Sequence, residues 1–151
     1  MLVCETGNEI IANLLLDKDI NINAKNNVGA TALHVACYSG HLNIVQLLIS
    51  HGADINDKAK NGMTPLIYAC KAGSNEIMVK YLIQEGSKVD IRSNDEEGVT
   101  ALLIACQYGY ENIVKYLVKH SADIFVKDNH GKTALMYASA NGFRSIVSYL
   151  I

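Results

Sequence analysis

A thirteen-residue phrase that occurs four times constrains this chain more than any other feature. "GATALHVACYSGH" begins at Gly29 and comes back as "GMTPLIYACKAGS" from Gly62, "GVTALLIACQYGY" from Gly98 and "GKTALMYASANGF" from Gly131. The starts lie 33, 36 and 33 residues apart. A second phrase follows each in turn: "NIVQLLISHGADIN", "IMVKYLIQEGSKVD", "NIVKYLVKHSADIF" and a short "SIVSYLI". The opening "EIIANLLLDKDININ" is the same second phrase without its preceding turn. One extra residue near Ser74–Glu76 and two near Arg92–Asn94 account for the wider spacing. Self-similarity at such a period marks a stack of small units, each too small to bury its apolar face alone.

Each unit reads as two short helices and a connection. Thr31, Thr64, Thr100 and Thr133 stand where a hydroxyl caps a helix start. Pro65 follows at the first helical position, where a missing N–H matters least. Leu33, Ala36, Cys37 and Gly40 keep the i, i+3, i+4, i+7 spacing of one helix face. Gly7, Gly40, Gly73, Gly109 and Gly142 close this first helix, where a left-handed residue suits glycine. Ile44, Leu47 and Leu48 stripe the second helix, which Gly52 terminates. The stretch between units is polar and turn-rich, which predicts an extended, hairpin-like connection. With half of its 151 residues apolar and 19% charged, the chain has the means to bury a proper core.

The long motif, held in register over the whole chain, resembles the ankyrin repeat family. The resemblance implies an all-α-dominated repeat solenoid of helix–turn–helix pairs with projecting β-hairpin loops. The units fall at approximately 1–23 (partial), 24–56, 57–90, 91–125 and 126–151 (truncated), forming a single array. It also implies a non-catalytic scaffold for protein–protein interaction, binding a partner protein through its concave helix face and hairpin tips. The alternative is the targeting or regulatory array of a longer enzyme, channel or secreted effector. Two departures stand out. Asp19 and Ser121 replace the glycine that ends the second helix, and a non-glycine held left-handed costs on the order of 1 kcal/mol. Phe125 replaces a polar residue at the end of its unit, and the sequence offers no reason for it.

Four cysteines and five histidines raise the question of metal or thiol chemistry. Cys4, Cys37, Cys70 and Cys106 occupy one slot of four successive units, and Ser139 fills the fifth. Neighbouring helices pack at roughly 8–10 Å, whereas a disulfide needs Cα atoms within about 7 Å. Tetrahedral zinc requires converging sulfurs, which a slot strung along a stack does not supply. The cysteines therefore read as small buried hydrophobes, with no metal and no cofactor expected. Ile67, Leu103 and Met136 stand in the slot of His34, so no cysteine–histidine pair recurs. By resemblance, a histidine after Thr-Ala-Leu ties its loop to the neighbouring unit. His41, His51, His120 and His130 fall at turns or helix ends.

Other functions find no support in the sequence. No Gly-x4-Gly-Lys, Gly-x-Ser-x-Gly or His-Glu-x2-His occurs, so no catalytic residue is expected. The formal charge of −2 is scattered, without the basic stripe of a nucleic-acid binder. No apolar run approaches a membrane span, and the first residues lack the pattern of a signal peptide. None of the fourteen asparagines opens an N-glycosylation sequon. An intracellular, cytoplasmic, monomeric protein is expected.

The first-helix positions off the packed stripe are the candidates for contact, and the resemblance places them on the concave surface. They include Tyr38, Tyr68, Lys71, Gln107, Tyr108 and Tyr137. Tyrosine is favoured at interfaces for its rigid amphipathic ring, although Tyr68 and Tyr137 could equally shield the helix tops. Tyr81, Tyr116 and Tyr149 fall on the second-helix stripe and read as core. At the tips, the loop "SNDEEG" is longer and acidic. Its Glu96 and Glu97 are candidates for a basic partner surface, or else a solvated charge cluster.

Overall fold

A computed structural model describes residues 4, 6–16, 20–73 and 75–151. Asp19 and the Ser74 insertion lie outside the described residues. Nine helices are named in what is described: α1 (Glu9–Leu16), α2 (Ala32–Ser39), α3 (Leu42–Ser50), α4 (Pro65–Lys71), α5 (Glu76–Gln84), α6 (Ala101–Tyr108), α7 (Glu111–Lys119), α8 (Ala134–Ala140) and α9 (Arg144–Leu150). Cys4 and Thr6 are helical as well. First helices α2, α4, α6 and α8 pack one on the next, and second helices α1, α3, α5, α7 and α9 form a row behind them.

The starts and stops follow the local chemistry. The hydroxyls of Thr64, Thr100 and Thr133 accept the N–H of Ile67, Leu103 and Met136. Thr31 differs, because its hydroxyl lies 2.8 Å from Nδ1 of His34. Gly40 and Gly109 close α2 and α6 in the left-handed region. Ser121 adopts φ 69° after α7, the conformation that glycine supplies at Gly52 and Gly86 in the same slot of earlier units. That is the strained position expected of a glycine replacement.

The inter-unit connections turn like hairpins, but no strand forms among the described residues beyond one isolated bridge between Lys127 and Thr133. The reason is length. Each loop closes on one main-chain bond of this kind: Asn26 to Ala30, Ala59 to Met63, Ser93 to Val99 and Asp128 to Lys132. A single rung is too short for a ladder. The Ser93–Val99 closure spans two residues more than the others, which puts the insertion at the tip, past Arg92 and Ser93. Successive tips are also stitched: the N–H of Lys60, Asn94 and Asn129 donates to the carbonyl of Val28, Asn61 and Glu97. A Cβ on Gly98 would meet the Asn129 side chain at 2.5–2.8 Å, so glycine alone permits this close approach.

The core runs the length of the stack through Leu33, Ile44, Leu66, Met78, Leu102, Ile113 and Ile146. Tyr81 and Tyr116 sit at its outer edge, half-buried, and Tyr149 is exposed, so these rings are not interior. Lysines cover two of them: Nζ of Lys80 lies 5.6 Å from the Tyr116 centroid and that of Lys115 5.9 Å from Tyr149.

Candidate functional site

The first helices and the hairpin tips together border a surface on which most of the predicted contact residues meet. Lys71 from α4, Gln107 and Tyr108 from α6, and Asp95 and Glu97 from the long tip line one depression of about 230 Å³. Its floor is apolar, from the buried side chains of Met63, Val99 and Ile104. Gln107 also borders the adjoining hollow of about 420 Å³, shared with Lys132, Met136, Tyr137, Ala140 and Asn141. The two hollows thus flank Gln107, one on each side. Polar groups around an apolar floor suit an extended peptide segment or a loop rather than a small enclosed ligand.

Tyr38 and Tyr108 are exposed, and Tyr68 is half-buried between its neighbours. The Tyr68 ring meets His34 edge-on at 5.2 Å and Tyr38 at 6.2 Å. Tyr38 thus heads a small aromatic ladder whose base is buried. Tyr108 stacks with Tyr110 at 5.9 Å. Tyr137 is placed differently. Only 8% of it is exposed, and its hydroxyl donates to Oδ2 of Asp128 at 2.6 Å. Burial first, and then the Asp128 carboxylate, raise its pKa, so it holds its proton. Burial alone would raise the pKa of Asp128. The Tyr137 hydroxyl and the N–H groups of Lys132 and His130 outweigh that and hold it below the usual carboxylate value. Tyr137 is a clasp between hairpin and helix, with little ring left for a partner.

The acidic tip is built with more care than its composition showed. Asp95 turns inward, accepting from the Ser93 hydroxyl at 2.7 Å and the Gly98 N–H at 3.0 Å. Asn129 donates from Nδ2 to the carbonyls of Asp95 and Glu96, and Arg92 bonds both Asn129 and the Gly98 carbonyl. Glu96 and Glu97 are left exposed at the apex, with Nε2 of His130 3.7 Å from Glu97. Arg92 and Asn129 hold the loop, Asn129 from the tip of the following unit; nothing in the sequence marked Arg92 for this role.

Ala30, Met63 and Val99, which flank the hairpin tips, are buried. Cys37, Cys70 and Cys106 are buried in the stack. Burial pushes the thiols of Cys70 and Cys106 up to about 12, and that of Cys37 is raised as well. Among the described residues, no group of three or more His, Cys, Asp or Glu is arranged to hold a metal ion. Nor is any helix there long and apolar enough to cross a membrane.

A family model described as ankyrin repeats (3 copies) matches residues 1–59, 56–128 and 78–151. The comparison with curated proteins gives no match.

Proposed function

The chain belongs to the ankyrin repeat family, whose members are generally protein–protein interaction modules, and from that premise we propose that it is a non-catalytic scaffold. It binds a partner protein across the face made by its first helices and hairpin tips. The observation that carries this reading is the convergence of Lys71, Gln107, Tyr108 and Glu97 from two units on one apolar-floored depression. Tyr38 extends the same face with an exposed ring on a buried aromatic base. Such rings lose little conformational freedom on binding, which suits them as anchors. The partner segment carries a basic group opposite Glu96 and Glu97.

Capture from a cell extract tests the reading if it is made differential. Proteins retained by the intact array should be lost from a Tyr38→Ala, Tyr108→Ala double variant of equal thermal stability. Equal retention by both would place binding elsewhere.

A further inference from the structure

The polar side chains around the hairpin tips fall into two groups. One group is engaged within the molecule: Asp95 accepts from Ser93 and Gly98, Arg92 bonds Asn129, and Asp128 takes the Tyr137 hydroxyl. The other group surrounds the depression floored by Met63, Val99 and Ile104. Among the described residues, the side chains of Lys71, Gln107 and Glu96 have neither a hydrogen-bond nor an ion-pair partner. Lys71 and Glu97 line the same hollow, yet the ionic neighbour of Glu97 is His130. A cation and an acidic pair thus border one apolar floor without neutralising each other.

The two charges stand at opposite ends of that floor. Successive tips are stitched together by the Asn94 N–H and the Asn61 carbonyl, so α4 and α6 start at the same end and run the same way. Glu96 and Glu97 lie on the tip just before α6, whereas Lys71 is the last residue of α4. Seven helical residues, from a capping threonine to the slot of Lys71, rise about 10 Å. Neighbouring helices stand roughly 8–10 Å apart, so the diagonal from the start of α6 to the end of α4 is about 14 Å. In an extended segment, alternate side chains share a face and four residues advance about 13 Å. The lengths agree.

Resting on the reading of this face as the binding surface, we propose that it selects an extended dipolar peptide segment of its partner. A basic side chain sits at Glu96 and Glu97, an apolar one two residues on covers the floor, and an acidic one two further on meets Lys71. The charges define the pattern, and either chain direction satisfies it. Gln107 holds the slot of Lys71 one unit on and offers an amide donor and acceptor to the segment's main chain. A uniformly basic segment, which the acidic tip alone would favour, sets a cation against Lys71, and like charges so placed are rejected.

A random peptide library displayed on phage and selected on the intact array tests this. Peptides retained by wild type and lost by Tyr108→Ala are sequenced, and the strongest is synthesised for fluorescence anisotropy. Those peptides should carry a basic and an acidic residue four positions apart with an apolar residue midway. Changing the peptide's acidic residue to lysine should weaken binding to wild type on the order of tenfold. Lys71→Glu should reverse the preference, binding the lysine peptide better than the original, and Lys71→Gln should bind the two alike. Circular dichroism and melting confirm that both arrays fold. Tyr108-dependent peptides that are uniformly basic or uncharged, or affinities that Lys71→Glu leaves unchanged, would overturn the dipolar segment and leave the binding face standing. A selection that yields no Tyr108-dependent peptide would overturn the face itself, and this inference with it.

Discussion

His34 donates from Nε2 to the main-chain oxygen of Met63, 3.2 Å away and 29 residues further along the chain. The tautomer is fixed from the other side of the ring, where the Thr31 N–H donates to Nδ1 at 3.1 Å. One neutral imidazole thus closes its own helix start and ties it to the next unit, as the family resemblance implied. It also takes Nδ1 out of any role as a base toward Cys37, the neighbour that first suggested thiol chemistry.

Burial lowers the pKa of His34 below its ordinary 6.5. The unfolded chain takes up this proton near pH 6.5 and the folded chain only at lower pH. Stability from His34 is therefore complete above about 6.5 and falls as the pH drops toward the folded value. His34→Leu should pack, since Ile67 and Leu103 fill the same slot, and should cost about 1 kcal/mol at pH 7.5 through the lost hydrogen bonds. Thermal melts from pH 7.5 to 5 check this: the variant's midpoint should depend less on pH than the wild type's. Equal slopes would contradict the assignment.

Ser121→Gly should stabilise the array. The left-handed serine costs on the order of 1 kcal/mol, partly offset by the freedom that glycine adds to the unfolded chain. A rise of about 1–4 °C in Tm is expected for a chain of this size. A lower Tm would mean that the serine side chain contributes something its backbone angle does not show.

The thiols of Cys37, Cys70 and Cys106 should be inert in the folded protein. Only the thiolate attacks a disulfide reagent, and burial keeps these groups protonated through neutral pH. With Ellman's reagent at pH 8, these three should react on unfolding and not before. Rapid reaction of any of them in the native state would show an opening of the stack.

The acidic tip should act on association rate. Exposed charges add little affinity singly but steer encounter, and salt screens that effect. Glu96→Lys with Glu97→Lys should slow binding of a captured partner, most at low salt, with the dissociation rate little changed. Association rates that match wild type at every salt concentration would leave the tip as a solvated cluster.

Much of this architecture was legible because a repeat states each rule several times over. Threonine caps, glycine stops and the apolar register recur, so a slot's burial could be read from its neighbours. What escaped was whatever depends on a specific side-chain contact, within a loop or between units, rather than on the slot. Tyr137 shares a slot with the half-buried Tyr68, but a carboxylate nine residues earlier draws its hydroxyl inward. Asp95 looked like one of three equal charges until its contacts with Ser93 and Gly98 separated it from Glu96 and Glu97. Phe125 was opaque because its polar equivalents Asn23, Asn56 and Asp90 accept a main-chain N–H from the next unit, a contact invisible within any one phrase. Tyr149 shares the register of Tyr81 and Tyr116, yet its exposure follows from its place at the end of the row.

The most direct test of the binding face is the affinity of a captured partner for Tyr108→Ala, measured by calorimetry beside the variant's melting curve. Ile77→Ala, on the exposed surface of the second-helix row, serves as the control. Tyr108→Ala should weaken binding by about 1–2 kcal/mol with Tm unchanged, while Ile77→Ala binds as wild type does. Full affinity in Tyr108→Ala, or an equal loss in Ile77→Ala, would contradict the assignment of the partner to the face of first helices and hairpin tips.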